Sequence, residues 1–273
     1  MIRKSHLSDI ALRFATFLAP NMLPVYEFIT AYLGEKLGCS TELIVGSSFD
    51  QFQDGQADIG FICGLPYVQL RRRRSPPVEL LAAPVLQGER YQGKPIYFSD
   101  VIVRRASPFR HFADLRGHSW SYNDPDSHSG YNVTRYRLVQ MGETNGFFSQ
   151  VIQAGWHQKS IKMVLEGTVD ASAIDSQVLA IELRDHPEWA SQLRVIDSLG
   201  PSSIQPVVAA QRLPEHVRAN VHRALLAMGG DLAAKTALAH GFVEHFVAVT
   251  DSTYDDIREM LDAAEAVGFM TLK

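Results

Sequence analysis

Two stretches more than a hundred residues apart follow one pattern. Asp54-Gly-Gln-Ala-Asp-Ile-Gly-Phe-Ile62 and Glu166-Gly-Thr-Val-Asp-Ala-Ser-Ala-Ile174 each run acid, glycine, small apolar residue, aspartate, then an apolar strand. The match is either shared chemistry of a helix-to-strand turn, where glycine ends the helix, or the trace of two lobes built alike. In either case each copy delivers polar residues to a strand's C-terminal end, Gly64 and Tyr67 in the first, Asp175 and Ser176 in the second. Two such edges facing each other would form a cleft.

The flanking segments fit this plan. Residues 12–17 alternate as a strand, and Asn21 can cap a helix in which Val25, Phe28, Ile29, Tyr32 and Leu33 recur at helical spacing before Gly38 closes it. Residues 41–45 form a second strand, Phe49 and Phe52 share a helical turn, and residues 58–63 are the near-continuous apolar strand of a parallel sheet. Residues 78–86 and 96–103 follow as strands; the second, with Tyr97 and Ser99 at its polar end, reads as a crossing between lobes. A second α/β unit then has strands at 119–122, 147–152 and 169–174, a helix capped by Ser160 and ended by Gly167, and another from Ser176. Gly200, Pro201 and Pro206 suit a return crossover, and the helices beyond it read as packing against the first lobe. The expected division is residues 1–101 and 202–273 in lobe 1 and residues 102–201 in lobe 2.

Chemistry concentrates in Trp120-Ser-Tyr-Asn-Asp-Pro-Asp-Ser-His-Ser-Gly-Tyr131, a strand, a turn and a helix start. Hydroxyls and free N–H groups at a helix N-terminus make an anion site, although an ordinary capped helix would use the same residues. A net charge of −4 gives no basic field, so nucleic-acid binding has no compositional support. The one basic run, Arg71 through Arg74, reads as a solvated helix end, with a partner or membrane surface as the alternative. Cys39 and Cys63 are not in C-x-x-C spacing, and the apolar run around Cys63 favours a buried thiol. No apolar stretch is long enough to span a bilayer, and residues 1–10 lack the apolar core of a signal peptide.

The chain resembles the phosphonate-binding (PhnD-like) family of ABC-transporter substrate-binding proteins. The resemblance runs over residues 12–227 and is carried by Ala57-Asp-Ile-Gly-Phe-Ile with Gly64-Leu-Pro-Tyr67, Tyr97-Phe-Ser99 with Val101-Ile-Val-Arg104, and Phe112-Ala-Asp-Leu-Arg-Gly117. Asp126-Ser-His-Ser-Gly130, Gly155-Trp-His157 with Ser160, and Glu166-Gly-Thr-Val-Asp-Ala171 complete it. It implies an α/β, bilobed periplasmic-binding-protein fold of type 2, with two crossover hinge strands and a ligand cleft between lobes. It further implies that Ser127, His128, Ser129 and Gly130 grip a phosphonate, phosphate, phosphite or related oxyanion, that Asn21, Tyr67, Tyr97 and Ser99 also belong to the binding set, and that His157 and Asp175 stand opposite. No cofactor and no membrane-embedded part is implied; ABC permease subunits would be partners of an exported protein. The expected location is the periplasm, with a cytoplasmic sensor on the same fold as the alternative. Three departures stand out: His128 occupies a place where the family has a small hydroxyl residue, Trp156 replaces a small residue, and the leader is missing.

Each residue also has a plainer reading. His128 can donate to an anion and add charge if protonated, or simply face solvent in a polar turn. Asp175 can bind a ligand amine or hydroxyl, or cap the helix at Ser176. Tyr67 and Tyr97 can be wall residues without ligand contact. Ser127 or Ser129 with His157 and Asp175 has the residue types of a nucleophilic triad, but the Gly-x-Ser-x-Gly elbow is absent. A metal held by His128, His157 and Asp175 lacks the usual ligand spacing. Binding without turnover is the expected function.

Overall fold

The structure is a computed structural model and describes residues 11–273. Its strands are β1 (Ala11–Thr16), β2 (Ser40–Val45), β3 (Ile59–Phe61), β4 (Val78–Leu86), β5 (Ile96–Arg104), β6 (Ser119–Tyr122), β7 (Gln150–Gln153), β8 (Ala171–Asp175), β9 (Leu193–Ser203), β10 (Val207–Ala210) and β11 (Val243–Val247). The helices are α1 (Leu23–Leu37), α2 (Gly64–Arg71), α3 (Val133–Gln140), α4 (His157–Glu166), α5 (Ser176–Asp185), α6 (Pro187–Ala190), α7 (Glu215–Ala227), α8 (Leu232–Ala239) and α9 (Asp255–Ala266). They divide into two units, each with its own sheet. One comprises the residues up to Pro95 with Ile204–Thr253, the other Ile96–Ser203 with Tyr254–Lys273.

The sheets share a plan. In the first the order is β11-β4-β10-β3-β1-β2, and in the second β7-β6-β8-β5-β9. Each has a parallel trio with the earliest strand in the middle, β2-β1-β3 and β7-β6-β8, and an antiparallel neighbour beside the third strand, β10 and β5. The two repeated stretches occupy equivalent places, and their aspartates do the same work. Asp58 Oδ2 accepts from Arg13 N at 2.8 Å while Asp58 N donates to Arg13 O at 2.7 Å. Asp170 Oδ2 accepts from Ser119 N at 2.9 Å while Asp170 N donates to Ser119 O at 3.2 Å. Each aspartate thus clips the first turnings of its own strand to the start of the strand next door. The glycine four residues before each strand does differ: Gly167 is the left-handed cap of α4, whereas Gly55 follows a short 3-10 turn.

Several expected boundaries move. β5 and β9 pair antiparallel from Ile96↔Ser203 to Arg104↔Leu193, which shifts the edges of the second unit outward from residues 102 and 201. The C-terminal helix also changes sides. Ile257, Leu261 and Ala264 of α9 are buried, and Phe269 and Leu272 after it join Phe112, Trp120, Phe147 and Phe148 in the core of the second unit. Asp256 accepts from Ser203 N at 2.7 Å and Ser203 Oγ at 3.0 Å, fastening the helix to β9. Helical periodicity shows that a face is buried, not which sheet buries it. Asn21 is no cap: it lies inside a 3-10 turn (Pro20–Met22), and α1 starts behind Met22 without a side-chain cap. Nor does Ser160 cap α4, which opens a turn earlier behind Trp156. No disulfide joins Cys39 and Cys63, and the latter is only partly buried.

Candidate functional site

Three helices of the second unit begin just past the C-terminal ends of its parallel strands. A turn of π-helix (His128–Asn132) leading into α3 follows β6, α4 follows β7, and α5 follows β8. Helix N-termini expose unpaired N–H groups and the positive end of the backbone dipole, and strand C-terminal edges are where open α/β sheets bind ligands. The residues at these starts are small and hydroxylic. Ser127 caps the first, its Oγ accepting from Gly130 N at 3.1 Å and lying 3.3 Å from Ser129 Oγ. Ser129 Oγ in turn stands 2.9 Å from His157 Nε2, the first residue of α4.

Most of the expected residues therefore meet in one unit. Ser99 on β5 lies in register with Asp175 at the end of β8, and Tyr97, two residues before it, sets its ring edge-on to His128 at 6.4 Å between centroids. Asn21 and Tyr67 belong to the other unit, each just after a parallel strand of that sheet, β1 and β3. The Tyr67 hydroxyl donates to Asp251 Oδ1 at 2.5 Å, and Arg71 Nε reaches the same oxygen at 3.2 Å.

Several polar atoms around these helix starts are buried without a hydrogen-bond partner: Ser99 Oγ, Ser121 Oγ, Asn123 Oδ1, His157 Nδ1 and Ser160 Oγ. Leaving one such atom unsatisfied costs about 1–3 kcal/mol, so a cluster of them demands an account. Its three serine hydroxyls suit a ligand presenting several oxygens, whereas Asn123 Oδ1 can only accept.

The histidines are not the charged groups that their residue type allows. Both are buried, and burial pushes each imidazole down to about 3. In the ligand-free protein burial thus works against the charged form of His128. His128 is also not a solvent-facing turn residue: Nε2 lies 2.9 Å from Ser202 Oγ and Nδ1 lies 3.2 Å from Asn132 Nδ2. A triad does not assemble. Ser129 and His157 are at nucleophile-to-base distance, but a base with so low a pKa is weak, its Nδ1 lacks an orienting acceptor, and Asp175 Oδ1 caps α5 by accepting from Gln177 N at 2.8 Å and Val178 N at 3.3 Å. Among the described residues no three His, Cys, Asp or Glu side chains converge as metal ligands.

Sequence reasoning missed Asn132, Arg135 and Ser202. Asn132 lies four residues beyond His128 and Arg135 three beyond that, a helical spacing that put all three on one face. Ser202 gave no such signal.

The family model described as ABC transporter, phosphonate, periplasmic substrate-binding protein matches residues 15–254. The chain belongs to that family. Among solved structures, PhnD1 from Prochlorococcus marinus in complex with methylphosphonate is similar at 18% identity and a TM-score of 0.81, covering 94% of this chain and 98% of that one. A binding protein component of an ABC phosphonate transporter from Pseudomonas aeruginosa aligns at 18% identity and a TM-score of 0.80, covering 92% and 85%. The periplasmic aliphatic sulphonate binding protein SsuA from Escherichia coli aligns at 14% identity and a TM-score of 0.62, covering 94% and 87%. At such identities these structures speak to the fold alone, and that fold is the type 2 periplasmic-binding-protein fold. No helix among the described residues is long and apolar enough to cross a membrane.

Proposed function

We propose that this family member captures a small tetrahedral oxyanion, a phosphonate, phosphate or phosphite, and releases it unchanged to an ABC permease. The observation that carries the reading is the cluster of buried donors without partners around three helix starts, Ser99 Oγ on the neighbouring strand β5, Ser121 Oγ and Ser160 Oγ among them. The donors are neutral. Ser127, Ser129 and the N–H groups of the π-turn hold the anion through fixed dipoles rather than through a salt bridge. Asn21 and Tyr67, each just after a parallel strand of its own sheet, are candidates for reading the organic substituent. Asp175, which already accepts two backbone N–H groups, favours ligands that bring a hydroxyl or ammonium of their own. Membership of the family supports the periplasm as the place of action.

A thermal-shift panel of phosphate, phosphite, methylphosphonate, 2-aminoethylphosphonate, sulfate and methanesulfonate tests this. A ligand confined to the folded state adds about 2.7 kcal/mol at a hundredfold excess over its Kd, so at least one phosphorus oxyanion is expected to raise the melting temperature by several degrees. No shift with any of the six removes the oxyanion reading. Recovery of altered ligand after incubation removes the claim of binding without turnover.

A further inference from the structure

We propose that Arg135 and Asn132 are positioning residues that hold His128 as its Nε2–H tautomer and so tie the anion-binding turn to Ser202 at the end of β9. The claim that this matters for binding rests on the oxyanion reading above; the tautomer itself does not.

The polarity of the whole relay follows from its first member. Arg135 is buried, and a guanidinium has donors only. Its Nη1 donates to Phe269 O at 2.8 Å and Met270 O at 3.0 Å, which fixes the fork against the C-terminal segment. Its Nη2 lies 2.9 Å from the Asn132 side chain and must find the amide oxygen there. The amide NH2 is thereby turned towards His128 Nδ1, 3.2 Å away, and because an amide nitrogen donates, Nδ1 accepts. The imidazole proton then belongs on Nε2, which donates to Ser202 Oγ at 2.9 Å. Each bond dictates the direction of the next.

The relay acts on an unusual piece of backbone. In the turn, Asn132 N reaches back to Ser127 O at 3.1 Å, an i to i+5 bond. Single π-turns are rare and hold only where surroundings favour them. His128 is the first residue of this turn, and Ser129 and Gly130, which follow it, are in the site. Ser202 lies in register with Tyr97 across β5 and β9, and the Tyr97 ring also touches His128. The imidazole is thus a strut between the gripping turn and the place where the start of β5 pairs with the end of β9. A small hydroxyl residue could not span that distance.

Asn132→Asp tests the relay with little change of shape. A carboxylate keeps Arg135 as its partner but only accepts, so His128 must place a proton on Nδ1. In ligand-free wild-type protein, long-range 1H–15N NMR is expected to show the neutral Nε2–H form, and in the variant a protonated Nδ1. Calorimetry with methylphosphonate is expected to show affinity down by about tenfold or more, while the melting temperature stays within a few degrees because the Arg135 contact survives. A second pair guards against a variant that fails to fold. His128→Gln, whose amide can accept from Asn132 and donate to Ser202, is expected to keep affinity within about threefold, whereas His128→Leu loses it as Asn132→Asp does. An Nδ1–H tautomer in the wild type, or an unchanged tautomer in Asn132→Asp, overturns the relay. A switched tautomer with unchanged affinity overturns the positioning role, as does equal affinity in the Gln and Leu variants. If wild-type protein does not bind methylphosphonate or any other of the six anions, the oxyanion reading falls and the positioning role with it, and the NMR result on ligand-free protein still decides the tautomer.

Discussion

Taking the ligand-free protein from pH 7 to pH 5 is expected to lower its folding stability by about 4 kcal/mol, roughly half from each of two histidines. His128 and His157 are neutral in the folded state because burial holds their pKa values down to about 3, against 6.5 for an exposed imidazole. The sign follows from proton counting. Below 6.5 the unfolded chain takes up a proton at each ring while the folded protein does not, so acid pulls the equilibrium towards unfolding. The stability is intact above 6.5 and falls continuously as the pH drops towards 3, by about 1.4 kcal/mol per histidine for each pH unit once well below 6.5. Asp256 works in the opposite direction, since burial raises its carboxyl and the folded state then binds the proton more readily. Asp170 and Glu143, both lowered, add to acid sensitivity only as the pH enters the carboxylate range. Urea unfolding between pH 7.5 and pH 4.5 measures the slope, and the double variant His128→Gln with His157→Gln isolates its source. The variant should lose most of the dependence between pH 7 and pH 5. Equal slopes in the two proteins would mean that the rings titrate normally in the folded state, and the neutral, dipole-only site would then be wrong.

Much of the architecture was legible because it rests on local rules. The repeated Asp58 and Asp170 stretches are clips between neighbouring strands, so their likeness in sequence reflects a likeness in duty. Glycines that end α1 and α4 in the left-handed conformation, Gly38 and Gly167, were likewise readable one residue at a time. The hydroxyl-rich helix start at Ser127, Ser129 and Gly130 was readable locally, but not that His157, expected opposite, lies 2.9 Å from Ser129 Oγ. What failed depended on distant packing. Nothing near residue 255 tells that α9 fastens to Ser203 and caps the second core, because an amphipathic helix fits either sheet. The burial of His128 was hidden for the same reason. A histidine in a polar turn looks exposed, and only the tertiary contact to Ser202, 74 residues on, shows that His128 is sealed in. Tyr67 could be placed after its strand, but not its bond to Asp251, 184 residues away.

Gly130→Ala is expected to destabilise the protein by about 1–3 kcal/mol and to cut oxyanion affinity by about a hundredfold. The reason is room, since the backbone at Gly130 is not in the left-handed region that only glycine enters easily. A methyl there would lie 2.0 Å from Asn123 Oδ1, closer than atoms can approach, and a tight 3.1 Å from its Cγ, whereas the Asn123 backbone N at 3.4 Å is an ordinary neighbour. The Asn123 side chain can yield only by turning about its own bonds, because its backbone is fixed. The main-chain carbonyl of Asn123 accepts from Gly155 N at 2.8 Å, a bond that holds the loop after β6 to the approach of α4 and so to Trp156 and His157. Pushing it moves one wall of the site; pushing the π-turn instead breaks the Gly130 N–H bond to Ser127 Oγ and shifts Ser129 away from His157. Either escape separates donors that must converge on one small anion. Stability and affinity are therefore lost together, and a double-mutant cycle can part them. Asn123→Ala removes the colliding oxygen, so adding it to Gly130→Ala should recover most of the stability measured by urea unfolding. Affinity should recover less, because the truncation also removes the side chain that packs against the π-turn at Gly130. Strict additivity of the two stability changes would show that contact with Asn123 is not what reserves this position for glycine.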